Sequence, residues 1–223
     1  MSNRTLQDAK LIGELNDLLQ LDHDAVAAYD VALASLQSAE YKDALRRYKS
    51  DHERHIAELT RLIHEHGGIG IQLPHVPTGV FKIAMQEAGN LGRGDVGVLL
   101  AFKANERQVR DKYRRVADHV SDAEVAVVVG RAAADETRHY AWALEMLDDL
   151  GAGQDTVLGA AERVVEVAHA RMGDAIEAVE RNAMIAAENA RRVAKEGDTS
   201  WIAAAAAVGL GFLAAALWDE KRG

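Results

Sequence analysis

The sequence predicts an all-α protein: a four-helix bundle with one long crossover, followed by a long C-terminal helix and a hydrophobic tail helix. Three observations predict it. Only two of the 223 residues are proline, both between positions 74 and 77, while alanine, leucine, valine, glutamate and arginine are abundant. Such a composition favours helices over a sandwich or a barrel. Apolar residues recur at spacings of three and four through four segments of similar length, the period of a helix with one buried face. Two links between these segments are short and one is long. Short links make antiparallel neighbours, and a long link lets the third helix cross the end of the bundle.

The first helix is expected from about Thr5 to Leu36, with Leu11, Leu15, Leu18, Asp22, Val26, Tyr29, Leu33 and Leu36 as its inward stripe. The second runs from about Tyr41 to His66 with Leu45, Tyr48, His52, His55, Leu59 and Leu62 inward, and Gly67-Gly68 ends it as a left-handed cap. Residues 67–94 form the crossover, in which "FKIAMQEAG" is compatible with a short helix. The third helix starts near Asp95, with Leu99, Phe102, Glu106, Val109, Tyr113, Val116 and Val120 inward. The fourth starts at Ser121-Asp122, an N-cap pair. Val125, Val129, Ala132, Glu136, His139, Ala143, Met146 and Leu150 line its inward face, and Gly151-Ala152-Gly153 breaks the pattern.

Charge and composition narrow the chemistry. The formal charge is −9 and no basic stripe stands out, so nothing points to a nucleic-acid partner. There is no cysteine, which excludes disulfides, thiolate metal sites and cysteine nucleophiles. The N-terminal "MSNRTLQDAK" is polar and has no signal-peptide core.

An internal repeat organises the polar residues. With an offset of 84 positions, Asp22 falls on Glu106, Tyr29 on Tyr113, His52 on Glu136, His55 on His139 and Gly67 on Gly151, without a gap. The chain reads as a duplicated helical hairpin. Asp22, His52, His55, Glu106, Glu136 and His139 interrupt the apolar stripes at mid-helix and therefore meet in the core. Buried carboxylates are costly unless paired or bound to a cation. Carboxylate oxygens combined with imidazole nitrogens suit iron, manganese or zinc. Bundles with two metals use such a set: one glutamate from each of two helices and Glu-x-x-His from each of the other two.

The segments "DHERHI" and "DETRHY", together with Asp22…Tyr29 and Glu106…Tyr113, resemble the ferritin-like superfamily, which includes bacterioferritin and rubrerythrin. "LNDLLQLDHDAVAAYDVAL" with "YKSDHERHIAELTRLI" looks most like a little-characterised bacterial family of ferritin-like four-helix bundles. The resemblance spans about residues 5–150. It implies Glu106, Glu136 and His139 as metal ligands, Glu136 as the bridging or anchoring carboxylate, His55 as the second ligand histidine and Asp22 as a shortened terminal acid. His52 departs from the pattern, standing where a bridging glutamate is expected. In this reading Tyr29 and Tyr113 donate hydrogen bonds to the ligand residues or serve as electron sources, or are simply core.

Two readings of the six residues stay open. Three acids and three protonated histidines make an electrically balanced knot with no metal. Alternatively one or two ions bind, one on Glu106, Glu136 and His139, or a looser pair that includes His52. With iron, the resemblance implies an oxidoreductase of ferroxidase or peroxidase type, reducing dioxygen or peroxide as Fe(II) is oxidised. Such chemistry serves metal-dependent redox work or oxidative-stress protection. Manganese or zinc would fit the same donors. The alternatives are a metal-free membrane-anchored interaction module and a membrane-bound di-iron oxidase or hydroxylase. The remaining histidines, His23, His64, His66, His75 and His119, fall off the stripes and read as surface residues.

Beyond the bundle (residues 1–150), residues 151–159 form a linker, 160–197 an amphipathic coiled-coil-like helix and 198–223 a hydrophobic anchor. Val165, Met172, Val179, Ala186 and Val193 repeat every seven residues, a narrow seam suited to a second copy, so a homo-oligomer is expected, a dimer through this helix or the bundle. Residues 201–218 carry no charge and are flanked by Trp201 and Trp218. As a helix they reach about 27 Å, close to a ~30 Å hydrocarbon core, with the tryptophans at interfacial depth. This run resembles the tails of small ribosome-associated bacterial inner-membrane proteins. The expectation is a cytoplasmic bundle tethered to the inner membrane by its C-terminus.

Overall fold

Each hairpin of the fold is closed by the same local chemistry. In the computed structural model, which describes residues 3–73, 94–153 and 155–156, α1 spans Asn3–Ser35, α2 Ala39–Glu65, α3 Gly94–Ala117 and α4 Ala123–Asp149. The described residues are all-helical apart from their turns. Helix α2 starts on Ser38, whose hydroxyl accepts from the Tyr41 N–H, and α4 on Asp122, whose carboxylate accepts from the N–H groups of Glu124 and Val125. Both helices end in Schellman turns. Gly68 N–H donates to Ile63 O and Gly67 N–H to His64 O; Ala152 N–H donates to Leu147 O and Gly151 N–H to Asp148 O. The two turn glycines have φ of 77° and 69°, where a Cβ would be strained. The turns lie 84 positions apart, so the repeat seen in the sequence extends to backbone geometry.

Asp95, at the start of α3, accepts from the free N–H groups of Gln37 (2.6 Å) and Ser38 (3.0 Å) and so ties the α1–α2 turn to the second hairpin. The expected helix starts and ends agree with the structure within a few residues. The main departure is α3, which is buried on far more than its predicted stripe: Val98, Leu99, Leu100, Ala101 and Phe102 are all buried. A run of five apolar residues covers every face of a helix, a signal in "VGVLLAF" that outweighs the stripe.

Two main apolar layers make up most of the core, and a smaller third cluster gathers Leu99, Leu100, Leu147 and Ala152. One layer gathers Leu15, Leu18, Leu59, Leu62, Val109, Val125 and Val129; the other gathers Ala32, Leu36, Leu45, Phe102 and Ala143. Asp22, His52, His55, Glu106, Glu136 and His139 lie between these layers along their helices, each no more than 1% exposed. Burial of that many titratable groups between two dry layers fixes where the chemistry sits. The crossover helix expected in 67–94, the seam over 160–197 and the anchor over 198–223 lie outside the described residues. Among those described, no helix is long and apolar enough to cross a membrane.

Candidate metal centre

The six residues meet as the repeat predicts, one acid each from α1 and α3 and a pair each from α2 and α4. Their donor atoms form two overlapping quartets, Asp22, His52, His55 and Glu136 on one side and His52, Glu106, Glu136 and His139 on the other, each within 4.8 Å. Glu136 is shared. Its Oε1 lies 3.4 Å from His55 Nδ1 and 3.5 Å from His52 Nδ1, and its Oε2 lies 3.7 Å from His139 Nδ1. Glu106 Oε2 is 3.3 Å from His139 Nδ1, Glu106 Oε1 is 3.8 Å from His52 Nε2, and Asp22 Oδ1 is 3.6 Å from His55 Nδ1.

These separations discriminate between an ion and a hydrogen-bonded knot. A good charge-assisted N–H···O bond is about 2.7–2.9 Å. Donors arranged tetrahedrally about 2.1 Å from one ion lie about 3.4 Å from each other. Most of the contacts match the second figure. Correspondingly, His52 Nε2, His55 Nδ1, His139 Nδ1, Glu106 Oε2 and both Glu136 oxygens are buried without a hydrogen-bond partner. Buried polar atoms are seldom left that way. A divalent cation in either quartet would satisfy the unpartnered atoms of that quartet, so the residues fit a metal.

One contact breaks the pattern. His52 Nδ1 lies 2.8 Å from Asp22 Oδ1, a true hydrogen bond. Asp22 also accepts from the Tyr113 hydroxyl at 2.5 Å. Asp22 is thus already held by protein partners, whereas His52, donating through Nδ1, presents Nε2 toward Glu106. The two sides are unequal: Glu106, Glu136, His139 and His52 Nε2 form an open two-nitrogen, two-oxygen set, and the Asp22 side is partly closed. Its tyrosine counterpart on the open side is idle, since the Tyr29 hydroxyl is buried with no partner.

A shell absent from the sequence reading surrounds the centre. His55 Nε2 faces Asp135 Oδ2 at 3.3 Å, and His139 Nε2 faces Asp51 Oδ2 at 3.0 Å. Each aspartate immediately precedes a centre residue of its helix, and each pairs with the histidine of the other. Arg54 donates to Asp51 at 2.6 Å and to Asp135 at 2.5 Å; Arg138 donates to Asp135 at 2.8 Å and to Asp51 at 2.7 Å. The four residues close a ring across α2 and α4. The signal was present: "DHERH" and "DETRH" share Asp, Arg and His at the same offsets as well as the ligand positions. A carboxylate on the far nitrogen fixes the tautomer and turns Nδ1 inward, the usual support for a metal-bound imidazole.

Without metal the cluster titrates as a coupled ionic knot. Burial pushes the imidazoles down, but Asp22 and Glu136 outweigh it and hold His55 at about 9. Glu106 and Glu136 do the same for His139, also to about 9. Burial would raise Glu106, yet His139 and His52 hold it at about 2. The signs give a stability window. The histidine contribution is complete below about pH 6.5, the unfolded value, and is lost as pH rises toward 9; the Glu106 contribution is lost as pH falls from about 4.5 toward 2. Metal-free protein is therefore expected to melt highest between about pH 4.5 and 6.5 and progressively lower toward pH 9. Differential scanning calorimetry in chelator checks this, and a melting temperature that rises from pH 6.5 to 9 contradicts it.

No protein-family model and no curated protein matches the chain.

Proposed function

We propose that the bundle is a ferritin-like metal protein that binds redox-active iron in its core, first at Glu106, Glu136, His139 and His52 Nε2. The observation that carries this reading is the set of buried, unpartnered nitrogen and oxygen atoms spaced as ligand edges rather than as hydrogen bonds. Iron held there would supply one-electron chemistry toward dioxygen or peroxide. The residues do the rest. Asp51 and Asp135 orient the imidazoles, Arg54 and Arg138 hold those aspartates ionised, and two apolar layers exclude water. Tyr113 and His52 keep Asp22 in place as a reserve carboxylate.

Anaerobic Fe(II) loading followed by elemental mass spectrometry tests the reading. About one ion per chain is expected, and a stoichiometry near zero overturns it. That null result would favour the metal-free knot, which has its own support in the three carboxylates (Asp22, Glu106, Glu136) and three imidazoles (His52, His55, His139) that face one another at the centre. Replacing Asp51 and Asp135 together by asparagine is expected to weaken metal affinity about 10–100-fold, measured by competition with a chromophoric chelator. Unchanged affinity would remove the shell from the argument.

Residues 201–218 support a further part of the reading, a C-terminal tether that keeps the bundle at the cytoplasmic face of a membrane. Deleting 198–223 is then expected to shift the protein from the membrane pellet to the soluble fraction.

A further inference from the structure

Three tyrosines surround the six polar residues, and only one of them leads outward. Tyr29 packs edge-on against His52 with centroids 5.1 Å apart, and Tyr113 lies 5.5 Å from His55. Both are sealed, at 2% and 0% exposure. The ring after Tyr29 is Phe102, at 5.1 Å, and a phenyl ring is too hard to oxidise to pass an electron on. Tyr48 differs. Its ring lies 4.3 Å from that of His139, tilted by 35°. Trp142 follows at 5.5 Å and Tyr41 at 6.0 Å from Trp142, both half-buried at the surface of the bundle. Tyr48 keeps 9% of its surface exposed, so its phenolic proton has a way to water. An unbroken row of oxidisable rings therefore joins a ligand histidine to the exterior.

We infer that Tyr48, Trp142 and Tyr41 form an electron relay that delivers single electrons from an external one-electron reductant to the buried centre when it reduces hydrogen peroxide. The inference rests on the iron reading above. Cleaving the O–O bond to two waters takes two electrons and two protons. Ferrous iron held by Glu106, Glu136, His139 and His52 would supply one of these electrons. Tyr48 gives the second, and its phenolic proton, with one more from solvent, completes the two waters. The neutral tyrosyl radical left on Tyr48 takes an electron and a proton from Trp142, which takes them from Tyr41. Tyr41 is restored at the surface by one electron from a reductant such as ascorbate and one proton from water. The relay is what a centre with a single strongly held ion requires, because a second ferrous ion is not there to give the second electron.

The test uses the full chain loaded with Fe(II), treated with one equivalent of hydrogen peroxide, freeze-quenched for electron paramagnetic resonance, and mapped by peptide mass spectrometry for oxidised residues. Expected in the wild type are a tyrosyl or tryptophanyl radical and oxidation at Trp142 and Tyr41. Tyr48→Phe is expected to lose oxidation at both while retaining its iron and its circular dichroism spectrum. Trp142→Phe is expected to keep a tyrosyl radical that ascorbate no longer quenches promptly and to lose oxidation at Tyr41. Oxidation of Trp142 and Tyr41 that persists in Tyr48→Phe, or that is equal in metal-free protein, overturns the relay. Bound iron with radicals confined to Tyr29 or Tyr113 overturns the relay and leaves the metal reading standing. Absence of bound iron overturns both.

Discussion

Glu136→Ala is expected to abolish iron loading and to lower the melting temperature of the metal-free bundle by about 10 °C. Glu136 is fully buried, and its two oxygens lie between 3.4 and 3.7 Å from a nitrogen of each of the three histidines. It is the carboxylate common to both donor quartets, so truncation leaves each with a single carboxylate, Asp22 in one and Glu106 in the other. In the metal-free state the change leaves three cationic imidazoles against Asp22 and Glu106. Breaking a buried ionic set by removing one partner costs about 3–5 kcal/mol, and in a domain of this size each kcal/mol moves the midpoint by about 2–4 °C. Glu136→Gln separates charge from volume, since it keeps the shape and loses the anion. Elemental analysis and thermal melts in chelator are read on the same samples. Wild-type iron content in either variant would show that the metal lies elsewhere.

Much of this centre was legible in the sequence because two periodicities coincide. The three-and-four stripe marks which residues point inward, and the 84-residue repeat marks which inward residues correspond. Together they single out Asp22, His52, His55, Glu106, Glu136 and His139, and all six are buried between the apolar layers. Capping chemistry placed Asp122 and Gly67 for similar local reasons. The Asp51–Arg54–Asp135–Arg138 ring was missed because its members flank the stripe rather than lie on it. Their role follows only from α2 and α4 coming close enough for each aspartate to reach across to the opposite histidine. The inequality of the two sides was also beyond the sequence. The repeat says that His52 replaces a carboxylate, but only coordinates show that its Nδ1 is bound to Asp22 and its Nε2 is free.

That inequality makes His52→Glu a gain-of-function experiment. Position 52 corresponds to Glu136 in the repeat, so the substitution restores symmetry to the two hairpins. It removes the hydrogen bond that holds Asp22 and supplies a second carboxylate able to face both sides. The expected result is two ferrous ions per chain where the wild type takes about one. The electrostatics predict an accompanying cost. Wild-type metal-free protein balances three acids with three imidazoles, whereas the variant has four acids and two imidazoles, an excess of buried negative charge without metal. Its metal-free form should therefore melt well below the wild type, by the several kcal/mol that an uncompensated buried charge carries. Loading with two divalent ions reverses the imbalance, and because the ions bind only the folded state the gain grows with their concentration. The signature is a larger chelator-dependent shift in melting temperature together with doubled iron stoichiometry. A folded variant that still binds one ion would mean that Asp22, and not His52, limits the second position. In that case the shortened acid on α1 is the residue that sets how many metals the bundle holds, and Asp22→Glu becomes the substitution that should raise the count.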